Sequence, residues 1–418
     1  MIPFRRTGFI LSIAFVLLLE LGCGDQYRPV ANPIIGPGGQ PQTSHFAYVV
    51  TNNPAGNGSS IVIDVSGDTT TSLQTMGLGS IYEATNNSGG LLFIANRDND
   101  SVSEYSPVFG GNITTINLLT GSRPVAVTST SASFAYVLNS GSNSACPNTG
   151  SISTISTTTL AVTSTVCVGV NPTSMVQLPG NAEIYVINQG DNSVTIFVPS
   201  SQGVAGTVTT ASGLGQNPTA LAASLDGSFV FITTAGDGIN PGTLDILPRY
   251  TSTVGASVAL GVKPNSAIMD PYLNRLYVTN GGSNTVSVFD ASNVNVSNSP
   301  AISLLGTANV GTDPVNVTPL PNGTQFYVAD SGSDDVSVVS ASSFSTLKTI
   351  PLASGAAPVW VASEPTSTKV YVANPGTGTI SVIQTVNNTI AVNISAPTQV
   401  SGCSSSCALQ QPVMIVTQ

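Results

Sequence analysis

The sequence has few charged side chains. Only 7% of its 418 residues are charged, against about 25% in an ordinary soluble protein, so Ser, Thr, Asn and Gly must cover most of the surface. Ten basic residues stand against twenty acidic ones, which gives a net charge of −10. No basic cluster follows Arg6, which excludes the electrostatic footprint of a nucleic-acid-binding protein. A neutral, hydroxyl-rich surface of this kind favours an exported protein.

Histidine is scarcer still. His45 is the single histidine, which excludes copper clusters with several histidine ligands and any G-x-S-x-G hydrolase elbow with a downstream histidine. The haem-attachment motif C-x-x-C-H is also absent from the sequence. A general base near neutral pH would have to be a perturbed carboxylate or lysine. We therefore predict no catalytic residue, no metal site and no cofactor.

Two acidic turns, Asp98–Asp100 and Asp330–Asp335, could supply hard oxygen ligands for calcium. Neither has the twelve-residue spacing of a calcium-binding loop. Asp and Asn also form tight turns by bonding to their own backbone. We interpret both segments as turns.

No apolar run is long enough for a comfortable membrane span. The run Phe9–Leu19 follows two arginines and precedes Leu21-Gly22-Cys23-Gly24. This arrangement resembles a bacterial lipoprotein signal, in which Cys23 becomes the lipidated first residue. Glu20 departs from that pattern, because an apolar residue is usual three positions before the cysteine.

The resemblance implies a signal peptide over residues 1–22 and a lipid-anchor cysteine with a tether over residues 23–45. Simple cleavage and an uncleaved anchor are the alternatives. We expect an exported, lipid-anchored protein of the bacterial cell envelope, in the periplasm or at the cell surface. Its contact with the membrane would be through the anchor only.

The five cysteines divide between this anchor and disulfides. With Cys23 assigned to the anchor, four remain, and four cysteines permit three pairings. Sequence proximity favours Cys146–Cys167 and Cys403–Cys407, in a compartment where disulfides persist. The rival interpretation is a four-thiolate zinc site, but zinc usually requires closely spaced cysteine pairs, and only the second pair is close.

A short phrase recurs along the chain. Leu276-Tyr277-Val278-Thr279-Asn280 is followed by a polar turn and then by Thr285-Val286-Ser287-Val288-Phe289-Asp290. Eight copies carry an aromatic residue at the second or third position, and these residues are 43 to 50 positions apart: Tyr48, Phe93, Tyr136, Tyr185, Phe231, Tyr277, Tyr327 and Tyr371. This spacing is the period of one β-propeller blade.

Each copy reads as two β-strands joined by a turn, because β-branched and aromatic residues flank Gly, Asn, Ser and Asp. A Gly-x-x-Pro segment opens a strand before most copies, and a Thr/Val-rich strand follows each copy, which makes four strands per blade. The last residues, Gln411–Thr417, resemble the first strand that the opening copy lacks. We therefore predict an all-β propeller of about eight four-stranded blades over residues 46–418, closed by pairing of the C-terminal strand with the N-terminal blade.

These repeats resemble the YVTN β-propeller family of bacterial and archaeal exported and surface-layer proteins, which belongs to a lactonase-like propeller superfamily. The resemblance covers residues 46–418 and rests on the phrase quoted above. Its members commonly have seven blades, so seven is the alternative count. The motif is specific for blade geometry and unspecific for activity, because fold alone does not determine function.

Candidate ligand-binding residues lie near the predicted channel mouth, on the face that carries the Gly-x-x-Pro loops. In a chain with so few charges, each charged residue there is a candidate: Tyr82, Glu83, Arg123, Lys263 and Asp313. Both predicted disulfides fall on the same face. We interpret Trp360, which lies within an apolar strand, as a core residue that fills space between blades.

The function favoured by these features is a monomeric, non-catalytic, envelope-anchored module that binds or scaffolds a protein, glycan or peptide partner. The alternative is an exported lactonase-like hydrolase that uses Glu83 and Asp313 with Arg123 or Lys263, with or without a divalent ion. A second alternative is a surface-layer or adhesive structural protein.

Overall fold

The computed structural model describes residues 46–54, 56–85, 91–106, 113–129, 133–180, 183–200, 206–396 and 410–417. These residues form thirty-two β-strands and two short 3-10 turns, Arg97–Asn99 and Ala291–Asn293. Nowhere in these ranges is there an apolar helix long enough to cross a membrane. Cys23, His45, Cys403 and Cys407 lie outside the described residues.

The strands follow one another at short intervals along the chain. In order they are β1 (Phe46–Asn52), β2 (Asn57–Asp64), β3 (Thr69–Leu78), β4 (Ser80–Thr85), β5 (Leu92–Asn96), β6 (Ser101–Tyr105), β7 (Thr114–Asn117), β8 (Pro124–Ser129), β9 (Phe134–Asn139), β10 (Ser151–Ser156), β11 (Ala161–Cys167), β12 (Pro172–Gln177), β13 (Ile184–Asn188), β14 (Ser193–Val198), β15 (Thr207–Ala211), β16 (Pro218–Ala223), β17 (Phe229–Thr234), β18 (Pro241–Pro248), β19 (Ala256–Val262), β20 (Pro264–Asp270), β21 (Arg275–Asn280), β22 (Thr285–Asp290), β23 (Ser303–Asn309), β24 (Pro314–Pro319), β25 (Gln325–Asp330), β26 (Asp335–Ser340), β27 (Thr346–Pro351), β28 (Trp360–Ser363), β29 (Lys369–Asn374), β30 (Thr379–Gln384), β31 (Thr389–Ser395) and β32 (Gln411–Thr417).

The strands form eight antiparallel sheets of four, each one a blade. Blade 1 is β32-β1-β2-β3, and blades 2 to 8 take β4–β7, β8–β11, β12–β15, β16–β19, β20–β23, β24–β27 and β28–β31. The first strand of each blade contacts the first strand of the next, from β4 through β28 to β32 and back to β4. The eight innermost strands therefore form a closed ring, and the eight-bladed count is confirmed over the seven-bladed alternative.

Closure of the ring depends on the C-terminal strand. β32 pairs antiparallel with β1, with Ile415 opposite Val49 and Val416 opposite Tyr48. Met414 and Ile415 are buried in the apolar clusters on the two sides of blade 1. This pairing removes the exposed edge that β1 would otherwise present, as the sequence predicts.

The repeated phrase supplies the core between blades. Its second-strand aromatic residues are buried, and they pack against side chains of the neighbouring blade. Tyr277 of blade 6 lies 5.0 Å from Phe326 of blade 7, and Tyr136 of blade 3 lies 6.0 Å from Phe197 of blade 4, measured between ring centroids. Side chains on alternate faces of each strand thus fill the two clefts beside its blade.

The phrase also ends in a buried asparagine with three partners. Asn188 Nδ2 donates to the hydroxyls of Ser193 and Thr195 on the next strand, at 3.0 and 2.8 Å. Its Oδ1 accepts a hydrogen bond from Gly169 N, in the Gly-x-x-Pro segment, at 3.1 Å. The Nδ2 bonds recur in four other blades, from Asn96, Asn139, Asn280 and Asn374. These asparagines therefore join strands within the blade, beyond the turn-forming role that local sequence suggests.

The same contact explains the glycine of Gly-x-x-Pro. A Cβ atom at Gly261 would lie 2.7 Å from Asn280 Cβ, closer than real side chains approach one another. Any larger residue at Gly261 would displace Asn280 from the Gly261 backbone N–H, from which Asn280 Oδ1 accepts a hydrogen bond. In blades 4 and 6 the spacing of Gly, Pro and Asn is thus set by one packing unit, in which Asn188 binds Gly169 N and Asn280 binds Gly261 N.

Candidate functional site

The mouth of the central channel is formed by two sets of loops on one face of the ring. These loops join the second strand of a blade to its third, and the fourth strand to the next blade. Shortly before the innermost strand, each of the seven inter-blade loops within the described residues has a residue with positive φ: Gly79, Arg123, Asn171, Asn217, Lys263, Asp313 and Ala357. Only Gly and, to a lesser degree, Asn adopt this conformation at low cost, so Arg123, Lys263 and Asp313 are held there by their surroundings.

Asp and Asn side chains from the hairpin loops hold four of these residues, which are Arg123, Asn217, Asp313 and Ala357. Asp100 Oδ2 accepts a hydrogen bond from Gly121 N at 2.7 Å, and its Oδ1 accepts one from Arg123 N, also at 2.7 Å. Asp334 accepts in the same way from Gly355 N and Ala357 N. Asn192 and Asn284 each accept one such bond, from Asn217 N and Asp313 N. Each of these hairpins therefore fixes the loop that leads into the next blade.

A cavity of about 590 Å³ opens at this face across blades 2, 3 and 4. Its walls come from the beginnings of three innermost strands and from the loops beside them. The lining residues are Ile81, Arg97, Arg123, Val125, Ser140, Gly141, Asn171, Pro172 and Thr173. Volumes of 300–1,000 Å³ are typical of small-molecule sites, which combine apolar walls with a few polar groups.

A β-bulge directs three of the lining residues. The pairing register of the first strand shifts at Ile81, Val125 and Thr173, each the second residue of its strand. A bulge leaves one residue out of the ladder and re-aims its side chain. All three side chains are half-buried and line the cavity.

Two guanidinium groups line the cavity, and no carboxylate is among its lining residues. Arg97 Nε and Nη2 donate to the two carboxylate oxygens of Asp98, at 2.9 and 3.2 Å. This hydrogen bonding to Arg97, with a smaller contribution from the charge of Arg123, lowers the pKa of Asp98. Arg123 is exposed, and its guanidinium has no hydrogen-bond or ion-pair partner among the described residues. Arg123 is thus free to bind an incoming anion.

The predicted Cys146–Cys167 disulfide is present, with 5.3 Å between the Cα atoms. It ties the long 140–150 loop of blade 3 to the end of β11. Within this loop Asn143 Nδ2 donates to the hydroxyls of Ser122 and Ser151, at 3.2 and 3.1 Å. The loop contributes Ser140 and Gly141 to the cavity, so the disulfide stabilises one of its walls. Cys403 and Cys407 lie outside the described residues, and their pairing stays a prediction.

Lys263 and Asp313 lie on the same face but not in the cavity. Both are exposed, on the loops leading into blades 6 and 7. Blade 7 is four blades away from blade 3 in a ring of eight, so Asp313 and Arg123 are on opposite sides of the channel mouth. No hydrogen bond or ion pair joins Lys263, Asp313 and Arg123 within the described part of the chain.

Glu83 does not lie at the channel mouth, where the sequence suggested it. It is fully buried between blades 1 and 2, near Ser60 and Tyr105, whose hydroxyls are 2.8 Å apart. Neither carboxylate oxygen has a hydrogen bond of ordinary geometry to the described residues. Burial raises the pKa of Glu83 to about 8, against a smaller lowering by Ser60. The bulge at Ile81 shifts the alternation of the strand, and this shift separates Glu83 from the exposed rim residues.

The aromatic candidate Tyr82 and the predicted core residue Trp360 both pack between blades. Tyr82 is half-buried and packs against apolar clusters that extend from blade 1 to blade 4, and burial raises its pKa. Trp360 is half-buried and packs against the clusters on both sides of blade 1. This placement fits the predicted role of Trp360 as a core residue.

The acidic turns use their carboxylates on the protein itself. Asp98 binds Arg97, and Asp100 and Asp334 accept backbone N–H groups. Asp330 is buried directly opposite Asp335 in the β25–β26 pair, where five other blades have Asn opposite Ser or Thr. Burial and the neighbouring Asp335 raise the pKa of Asp330 to about 8. Among the described residues, no three His, Cys, Asp or Glu side chains are grouped in a way that could hold a metal ion.

The structure therefore brings together Arg123 and Arg97, a pair that the sequence did not single out. Arg97 follows directly after the buried Asn96 of the repeated phrase, at a position where a charged residue usually reads as solvated. The sequence does hold a signal for this pair. Arg97 directly follows a copy of the repeated phrase, and Arg123 directly precedes the proline of the next Gly-x-x-Pro segment.

Comparison with solved structures supports the fold. The chain matches no protein-family profile and no curated protein sequence. Dihydro-heme d1 dehydrogenase NirN in complex with DHE is 10% identical, with a TM-score of 0.67 over 96% of this chain and 78% of that one. Apo AztD from Citrobacter koseri is 14% identical, with a TM-score of 0.58 over 90% and 98% of the two chains. A candidate 6-phosphogluconolactonase from Bacteroides fragilis is 12% identical, with a TM-score of 0.58 over 91% and 100%. At these identities the likeness shows a shared β-propeller fold.

Proposed function

We propose that this propeller is a non-catalytic binding module of the cell envelope, and that it captures a glycan, peptide or protein partner at the mouth of its channel. The observation that carries the proposal is the cavity of about 590 Å³ across blades 2 to 4, with apolar walls, three polar side chains and two arginines. Such a combination provides both contact area and orientation for a ligand.

The rigidity of this rim supports a binding role. The loops around the cavity are fixed by Asp100, by the Asn143 hydrogen bonds and by the Cys146–Cys167 disulfide. A surface organised before binding loses less conformational entropy when the ligand arrives. Scaffolding of a larger partner would use the same face.

The lactonase-like alternative draws on the fold that this chain shares with the candidate 6-phosphogluconolactonase. The residues expected to carry that chemistry are separated here. Glu83 is buried between blades, and Asp313 lies across the ring from Arg123. We therefore favour binding over hydrolysis. Lactone turnover by the purified chain that is lost in Glu83→Gln would favour the hydrolase instead.

We further propose that the repeats are of the YVTN type and that lipidated Cys23 anchors the ring to the envelope. The repeated phrase and the Leu21-Gly22-Cys23-Gly24 segment support these two points. Recovery of the mature chain in the soluble exported fraction, with no lipid attached, would contradict the anchor.

The binding role is tested with arrays of glycans and peptides, probed with the disulfide-intact chain. Thr173→Phe should fill the cavity and abolish the binding seen for the unchanged chain, because Thr173 lines the cavity wall. Thr209→Phe is the matched control, since Thr209 is exposed on the outermost strand of the same blade. No binding to either array, or equal loss in both variants, would contradict the proposal.

A further inference from the structure

The geometry points to a sugar acid as the ligand of the rim cavity: a sugar unit whose carboxylate binds Arg123 beside the Arg97–Asp98 ion pair, either free or as part of an acidic glycan. This inference rests on the binding role proposed above and names the chemical class of the ligand.

Few cationic side chains of the described residues are available to bind a ligand. The described residues contain seven Lys and Arg side chains, and five of them bind protein groups. Arg97, Arg249 and Lys369 pair with carboxylates, while Arg275 and Lys348 donate to backbone carbonyls. Arg123 and Lys263 are the two whose cationic groups have no such partner within the described ranges. Of these, Arg123 lines the cavity.

The loop that leads into blade 3 places Arg123 at the cavity wall. Its positive φ of 50° is unusual for a side chain of this kind, and Asp100 fixes its backbone N–H. Gly141 passes beside this segment, where a Cβ atom would lie 2.0 Å from Gly121 O and 3.1 Å from Arg123 Cγ. The lack of a side chain at Gly141 therefore lets its loop pack directly against the segment that carries Arg123.

The charges around the cavity determine which anion can bind there. Arg97 and Arg123 line the cavity, while Asp98 and Asp100 lie beside them with their oxygens bound to protein donors. The four groups together carry no net charge, so a multiply charged anion gains little there. A single carboxylate can still approach the Arg123 guanidinium at short range and form bidentate hydrogen bonds, which arginine geometry favours.

The uncharged lining residues determine which chemical groups the rest of the ligand carries. Ser140, Asn171 and Thr173 surround the cavity with hydroxyl and amide groups, and Ile81, Val125 and Pro172 supply apolar surface. Hydroxyl and amide groups can both donate and accept, which matches the hydroxyls of a sugar, while its C–H face can lie on the apolar wall. A carboxylate on a hydroxylated ring satisfies all of these groups.

Calorimetric titration of the disulfide-intact chain tests this assignment, with galacturonate, tetragalacturonate, galactose and galactose 1-phosphate as probes. We expect galacturonate to bind and neutral galactose to bind at least about tenfold more weakly, because a charge-assisted hydrogen bond is lost. Tighter binding of the tetramer would identify a glycan chain as the source of the carboxylate, and equal binding would identify the free sugar acid.

The variant Arg123→Asn removes the guanidinium and keeps a residue that tolerates the left-handed backbone, as Asn171 and Asn217 do at the equivalent positions. It should weaken galacturonate binding about tenfold or more. Lys263→Asn is the matched control on blade 6 and should leave binding unchanged.

Galactose or galactose 1-phosphate binding as tightly as galacturonate would overturn the inference, as would equal effects of the two variants. If arrays show a neutral glycan or a peptide at the rim while galacturonate fails to bind, the sugar-acid inference fails and the binding role stands. If Thr173→Phe also changes nothing, both fail.

Discussion

At the scale of single residues, the buried asparagine of the repeated phrase connects sequence to fold most directly. Its amide donates to two hydroxyls and accepts a glycine N–H. A buried side chain that satisfies several partners in this way contributes about 1 kcal/mol per hydrogen bond. Five blades have this asparagine, and blade 7 is an exception in which Asp330 takes its place and faces Asp335.

This exception predicts a pH-dependent stability. The pKa of Asp330 is raised to about 8 in the folded state by burial and by Asp335, against about 3.9 when unfolded. The folded state thus binds more protons between these values, and its stability falls as pH rises from about 4 to about 8. Asp330→Asn should raise the free energy of unfolding at pH 8 by about 1–3 kcal/mol and change it little at pH 4.

Denaturant unfolding at the two pH values measures this difference. Asp313→Asn is the control, since Asp313 is an exposed carboxylate on the same face, and it should give equal effects at both pH values. An Asp330→Asn variant with the same effect at pH 4 and pH 8 would refute the raised pKa.

At the scale of elements, the C-terminal strand carries the closure of the ring. β32 pairs with β1, and its Ile415 is 2% exposed in the cluster between blades 1 and 8. Deletion of residues 411–418 should therefore lower the melting temperature sharply, because it exposes the edge of β1 and the apolar clusters beside it.

Because the truncated chain could fail to fold, Ile415→Ala gives a graded form of the same test. We expect it to cost about 2–5 kcal/mol, as for other buried large-to-small changes. Val386→Ala, at a side chain that is 90% exposed, should cost almost nothing. Thermal melts in which the truncation or Ile415→Ala matches the unchanged chain would show that β32 does not close the ring.

At the scale of the whole molecule, the fold could be predicted because each blade repeats one pattern. The aromatic spacing gave the blade count, and the lone strand Gln411–Thr417 gave the closure. The site could be predicted only in part. Arg123 lies at the channel mouth, but Glu83 follows the bulge at Ile81 and is buried between blades 1 and 2. Arg97 was missed because its neighbours across blades 2, 3 and 4 are far apart in the sequence.

The pairing of Cys146 with Cys167 could be predicted because the two cysteines belong to adjacent strands of one blade. The bonding of each asparagine amide to two hydroxyls was harder to predict, although the spacing of Asn188 from Ser193 and Thr195 carries the signal. Contacts within a blade are thus readable from the repeat, while contacts around the channel depend on the ring.

We place the binding surface for a sugar acid at the rim of blades 2 to 4. Hydrogen–deuterium exchange of the disulfide-intact chain, with and without saturating tetragalacturonate, tests it most directly. We expect slowed exchange confined to residues 97–100, 121–125, 140–143 and 169–173. Slowed exchange at the turns of the opposite face, such as residues 65–68 and 271–274, or no change anywhere, would contradict it.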